Sequence, residues 1–96
     1  MKPEFHPAAE REFAASAMWY ESRVPGLGAQ MRDDVRRAVD TLSARPLVGR
    51  RLSDDLRSYP LRRFPYKLIY RVSGDNLRII AVAHDRRWPG FWSERR

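Results

Sequence analysis

The sequence predicts an α+β domain: a short N-terminal strand, a two-helix hairpin, then an antiparallel sheet of three C-terminal strands, in the order β-α-α-β-β-β. Three observations carry this. Apolar residues recur at helical spacing between Pro7 and Ala44. From Leu61 to Trp92, two runs rich in β-branched and aromatic residues flank Ser73-Gly74-Asp75-Asn76, the pattern of an antiparallel hairpin. Ninety-six residues, 43% of them hydrophobic, are enough for one modest core and too few for two, so residues 1–96 form a single domain.

Lys2 to His6 reads as a short β-like lead-in. Pro7 suits the first turn of a helix, where its missing N–H costs nothing. Ala8 to Arg23 is rich in good helix formers, with Phe13, Ala17, Tyr20 and Val24 as its apolar stripe. Glu10, Glu12 and Glu21 read as its solvated face. Pro25-Gly26 and Gly28 break that helix. A second runs from about Ala29 to Ala44, with Met31, Val35, Ala38, Val39 and Leu42 on one side. Arg32, Asp33, Arg36, Arg37 and Asp40 lie largely on the other. It stops before Pro46, because a residue preceding proline avoids helical geometry.

The hairpin's apolar side needs a sheet to cover. Arg57 to Phe64, Lys67 to Val72 and Leu77 to His84 are its expected strands, with Pro60 marking a late start or an edge and Pro65 a break. Strict alternation puts Leu77, Ile79, Ala81 and Ala83 on one face of the last strand, and Arg78, Ile80, Val82 and His84 on the other. Both faces are apolar in the middle, as a central strand requires. The sheet face away from the helices stays partly open, with Tyr70 in the core and one Trp over the open face.

Charge is distributed unevenly. Residues 1–48 hold seven basic and seven acidic side chains, and residues 49–96 twelve and five, so the net +7 lies entirely in the sheet half. Seventeen of the nineteen basic residues are Arg, a planar fork suited to phosphate and carboxylate. Such a field implies an RNA, DNA or acidic-protein partner. There is no cysteine. No run approaches the roughly 20 apolar residues of a membrane span, and Met1 to Phe5 has no signal-peptide core. The expectation is a soluble cytoplasmic protein without membrane contact. His6 and His84 stand without carboxylates at ligand spacing, and no Gly-rich phosphate loop or nucleophile motif is present. No metal, nucleotide or other small-molecule cofactor is indicated.

Chemistry concentrates at the end of the last strand. Imidazole is the side chain whose unperturbed pKa lies close to neutrality, so His84 is the candidate acid–base group. Arg62, Arg63, Arg71, Arg78, Arg86 and Arg87 lie on or beside the sheet and supply fixed cations for phosphate without a metal. Tyr66, Tyr70, Trp88, Phe91 and Trp92 are aromatic candidates for stacking on bases.

Three segments carry a family likeness: Phe5-His6-Pro7-Ala8-Ala9-Glu10-Arg11-Glu12, Arg62-Arg63-Phe64-Pro65-Tyr66-Lys67-Leu68-Ile69-Tyr70, and Ala81-Val82-Ala83-His84 followed by Arg87. Together they resemble the RelE/ParE superfamily of toxins, the plasmid-stabilisation type. The resemblance covers nearly the whole chain. It implies the toxin half of a type II toxin–antitoxin pair, neutralised by an acidic, partly helical antitoxin encoded beside it. RelE-like members cut mRNA on the ribosome without metal; ParE-like members poison DNA gyrase and lack the cleavage residues. By the first resemblance His84, Arg87, Arg62 and Arg63 are catalytic, while Lys67, Arg71, Arg78, Arg86, Trp88 and Trp92 bind RNA. By the second, the alternative, the same surface is a non-catalytic interface; His84 and the Arg cluster favour the first. A toxin-like interaction module without activity is the third possibility. Phe91 and Trp92 stand where RelE-like members often carry a proton-exchanging Tyr.

Overall fold

The structure, a computed structural model, describes residues 1–96 and runs β1 (Lys2–Phe5), α1 (Pro7–Arg23), α2 (Leu27–Ala44), β2 (Arg50–Arg51), β3 (Leu56–Pro60), β4 (Tyr66–Ser73) and β5 (Asn76–His84). The strands form one sheet in the order β1-β5-β4-β3-β2. The α+β class is as expected, with two additions. The opening strand joins the sheet parallel to β5, from Lys2 opposite Asn76 to Phe5 opposite Ile79, which makes the sheet mixed. The two-residue β2 pairs antiparallel with β3 at the far edge. The expected strand Arg57 to Phe64 ends early at Pro60, and Leu61–Pro65 form the loop into β4.

His6 starts α1: its Nδ1 accepts the Ala8 N–H at 3.0 Å, and Pro7 follows as the first helical residue. Val24 has already left the helix with an extended backbone (φ −140°) and is exposed, so it does not extend the stripe. The Glu21 carboxylate crosses the helix–helix turn, accepting the N–H groups of Gly26 and Gly28 at 3.0 Å each. Gly28 is required by close approach: a Cβ there would stand 2.8 Å from the Ala17 carbonyl oxygen.

Met31, Val35, Ala38, Val39 and Leu42 of α2 are buried against Leu68, Tyr70, Leu77, Ile79 and Val82 of the sheet. A second, smaller cluster lies on the opposite face, where Trp92 folds over Ile69, Ile80, Ala81 and Ala83. The strict alternation expected for β5 fails at one point. Ile69 pairs with Ala81 but Tyr70 pairs with Ile79, leaving Ile80 as a bulge with no partner of its own. Beyond it the faces exchange. Val82 joins Leu77 and Ile79 beneath the helices, while Ala81 and Ala83 move to the Trp92 side. The same exchange carries His84 to the helix side.

Candidate functional site at the end of the last strand

His84 packs edge-on against Tyr66, its register partner on β4, with ring centroids 4.9 Å apart. With Glu12, Ala15 and Ser16 of α1, Val82 and Arg87, these rings line an open hollow of about 250 Å³. The Arg86 backbone N–H donates to His84 Nδ1 at 3.0 Å, and the Arg87 N–H to the His84 carbonyl at 3.0 Å. An accepting Nδ1 puts the ring's proton on Nε2 in the neutral form. Tyr20, which reaches Tyr66 from α1, has its pKa pushed up by burial and by Tyr66 itself.

Glu12 organises the rest. β1 ends opposite Ile79, so β5 has no neighbour on that side from Ile80 onward. There the Glu12 carboxylate accepts the Val82 N–H at 3.0 Å, and Arg95 donates to the Ile80 carbonyl at 3.1 Å. Arg95 also grips Glu12 with two hydrogen bonds of 2.9 Å. The expectation that Glu12 belongs to a solvated face is therefore corrected: it replaces the missing strand. Arg87 is the second cation on this carboxylate, 3.2 Å from Oε2, and its guanidinium lies 3.6 Å over the Phe91 ring.

The other candidates are dispersed. Arg62 and Arg63 sit on the β3–β4 loop, which touches the His84 turn through the Asp85 N–H on the Pro65 carbonyl at 2.9 Å. Their backbone N–H groups, with that of Phe64, donate to Asp34 at 3.2, 2.8 and 3.2 Å; their side chains form no ion pair. Lys67 faces the other side of the sheet, in a hollow with Arg50 and Asp85. Arg71 is paired with Asp55 at 2.8 Å. Arg78, near the opposite end of β5, is paired with Glu4 at 2.9 Å and donates to the Arg96 carbonyl. Trp92 is 7% exposed inside the second cluster, so its ring is packing and has no free face for a base. Trp88 is 86% exposed and free.

Asp34 was missed by the sequence reading. It is 1% exposed, and Arg37 completes its shell. Burial pushes its pKa up, but the N–H groups of Arg63 and Arg62, the Arg37 guanidinium and the Phe64 N–H outweigh that and hold it below the usual carboxylate range. The signal was available: position 34 lies within the stripe 31-35-38, where a carboxylate must find partners. No group of metal-ligating side chains is assembled.

A helical hairpin over one face of a mixed five-stranded sheet, with basic loops at one end, is the architecture of the toxin class that the motifs resemble. The family model described as "ParE toxin of type II toxin-antitoxin system, parDE" matches residues 4–89, and the chain belongs to that family. A solved chain from the "Chromosomal ParDE TA system from P. aeruginosa" has the same fold, with a TM-score of 0.75 at 22% identity over 88% of this chain and 95% of that one. No curated protein matches the sequence. No helix is long and apolar enough to cross a membrane.

Proposed function

We propose that this type II toxin arrests growth by binding DNA gyrase as a non-catalytic inhibitor. One observation carries the reading: the side chains that metal-free RNA cleavage needs are not gathered on one phosphate-sized site. Arg87 is held by Glu12 and Phe91, Arg62 and Arg63 do not line the His84 hollow, and Lys67 lies on the other sheet face. His84 has its Nδ1 engaged by Arg86. Such a surface is built for contact, with charge supplying encounter rate and register.

The antitoxin's seat in this reading is the groove of about 250 Å³ between β1, α1 and α2. Phe5, Phe13, Val35 and Val39 line it, and Arg32 and Arg36 stand on its rim. An amphipathic acidic helix fits that chemistry: apolar anchors in the groove, carboxylates at the two cations.

The rival reading, ribosome-dependent mRNA cleavage, draws on one feature, the shared hollow of His84, Tyr66 and Arg87. Replacement of His84 by Gln separates them. Growth arrest that persists in His84→Gln supports the binding reading; arrest abolished in a folded His84→Gln chain supports acid–base chemistry.

A further inference from the structure

The sheet edge opposite the antitoxin groove carries a loop that the fold holds unusually firmly. Arg45 to Leu52 leads from α2 through β2. The hydroxyl of Tyr70, a residue buried at the centre of the core, passes up to this loop. It accepts the Gly49 N–H at 2.9 Å and donates to the Pro46 carbonyl at 2.8 Å. Arg57 adds hydrogen bonds to the carbonyls of Leu47 and Gly49 at 3.2 and 3.0 Å. Gly49 is fitted to this arrangement, since a Cβ there would collide with the Tyr70 hydroxyl and stand 2.7 Å from the Ser58 carbonyl oxygen.

What so firm a loop presents is apolar. Leu47 is 65% exposed, and Val48 and Leu52 are also open to solvent. Leu47 and Val48 together border a shallow hollow with Arg45 and Pro46, an apolar patch that water does not favour. Around them Arg45, Arg50 and Lys67 make no ion pair with any carboxylate of the chain. Arg50 and Lys67 border a hollow of about 440 Å³ floored by Ser58, Tyr59 and Pro60; Asp85 also lines it but forms an ion pair with neither cation. Aliphatic side chains neither stack on bases nor pair with phosphate, which favours a protein ligand over a nucleic acid. Free cations beside them call for carboxylates.

We propose that Arg45–Leu52 docks an acidic segment of the protein on which the toxin acts, at a surface distinct from the antitoxin groove. Leu47 and Val48 are its apolar anchors, and Arg50 and Lys67 receive its carboxylates. The loop is held before binding, so little ordering entropy is lost on contact. The two surfaces lie at opposite edges of the sheet, β1 on one side and β2 on the other. Target binding and neutralisation are therefore separable by substitution. This rests on the reading of the chain as a toxin that acts by binding.

The test is the double variant Leu47→Asp, Arg50→Glu, with Leu47→Ala, Arg50→Gln as a milder pair should the first melt early. The expected result is a chain that melts like wild type and binds the purified antitoxin within about twofold of it. Its inhibition of purified gyrase, and the growth arrest it causes, should weaken about tenfold or more, the loss typical of central interface residues. Undiminished growth arrest in a folded variant overturns the proposal. So does loss of antitoxin binding in step with arrest, which would assign the loop to the antitoxin, or loss of RNA binding alone. Wild-type chain that arrests growth but spares gyrase removes the gyrase reading, and the growth comparison still scores the loop. Wild-type chain that does not arrest growth overturns both.

Discussion

Glu12 and Arg95 meet through two hydrogen bonds of 2.9 Å across 83 positions of sequence, and so tie the first helix to the C-terminal segment. Between them they satisfy the Val82 N–H and the Ile80 carbonyl, backbone groups that the departure of β1 leaves unpaired. Arg95→Ala should cost about 2 kcal/mol, the worth of a charge-assisted hydrogen-bond pair with little solvent access. In a chain of this size that lowers the melting temperature by about 10 °C. In a Trp19→Phe, Trp88→Phe background, Trp92 fluorescence should shift to the red as its surroundings loosen. An unaltered melting curve and spectrum would contradict the role given to this pair.

Asp34→Asn turns one of the two oxygens that accept three consecutive N–H groups into an NH2 donor, and so leaves at least one of those groups without a partner. The expected loss is about 3 kcal/mol at pH 7, as for other broken buried networks. The folded-state pKa lies below the ordinary value, so the native chain binds its proton later than the unfolded one. Its stabilising contribution is complete above about pH 4 and is lost as pH falls through the folded-state value. Urea titrations at pH 7 and pH 3 should show a gap between wild type and Asp34→Asn that narrows in acid. A gap that stays constant would mean that the carboxylate's charge is not what holds the loop.

His6 predicts a separate pH effect. Burial first, then Arg78, Arg95 and Arg11, hold its pKa below the ordinary value. The neutral ring accepts the Ala8 N–H, and protonation of Nδ1 would end that cap. Stability from this group is complete above about pH 6.5 and declines as pH falls below it. His6→Asn keeps a cap that does not titrate. Its melting temperature should fall less than that of wild type between pH 7 and pH 5; parallel curves would contradict the assignment.

Tyr70→Phe deletes one hydroxyl and two hydrogen bonds, to Gly49 and Pro46. The cost should be about 1–2 kcal/mol. Hydrogen exchange at the Gly49 amide should accelerate well beyond what that global loss explains, because the loop loses its anchor. Exchange that rises only in step with global stability would show the loop to be held by other contacts.

The helices and the hairpin were legible because periodicity records burial: the α2 stripe 31-35-38-39-42 is the buried face. Pro60 was read as a late start or an edge, yet it ends β3, so the position of a break was visible and its direction was not. The bulge at Ile80 left no trace in composition, since residues 79–83 are apolar throughout and any register satisfies the pattern. It nevertheless decides which face His84 occupies. The partners of Glu12 and Asp34 were hidden for a different reason. Glu12 borders the α1 stripe and Asp34 lies within that of α2, where its need for partners is legible, but Arg95 and the 62–64 backbone lie far away in sequence. Among the candidate site residues, Arg71, Arg78 and Arg87 were recognisable as cations, but their carboxylates were not recognisable as partners.

On the proposed function, this toxin binds gyrase and leaves RNA uncut. The most direct measurement places the purified chain in two parallel reactions: DNA supercoiling by purified gyrase, and cell-free translation with mapping of mRNA 5′ ends on stalled ribosomes. The expected result is inhibited supercoiling, relieved by the antitoxin, with mRNA left intact. Ribosome-dependent cuts that vanish in Arg87→Ala, with gyrase unimpaired, would contradict it and return His84 and Arg87 to catalytic roles.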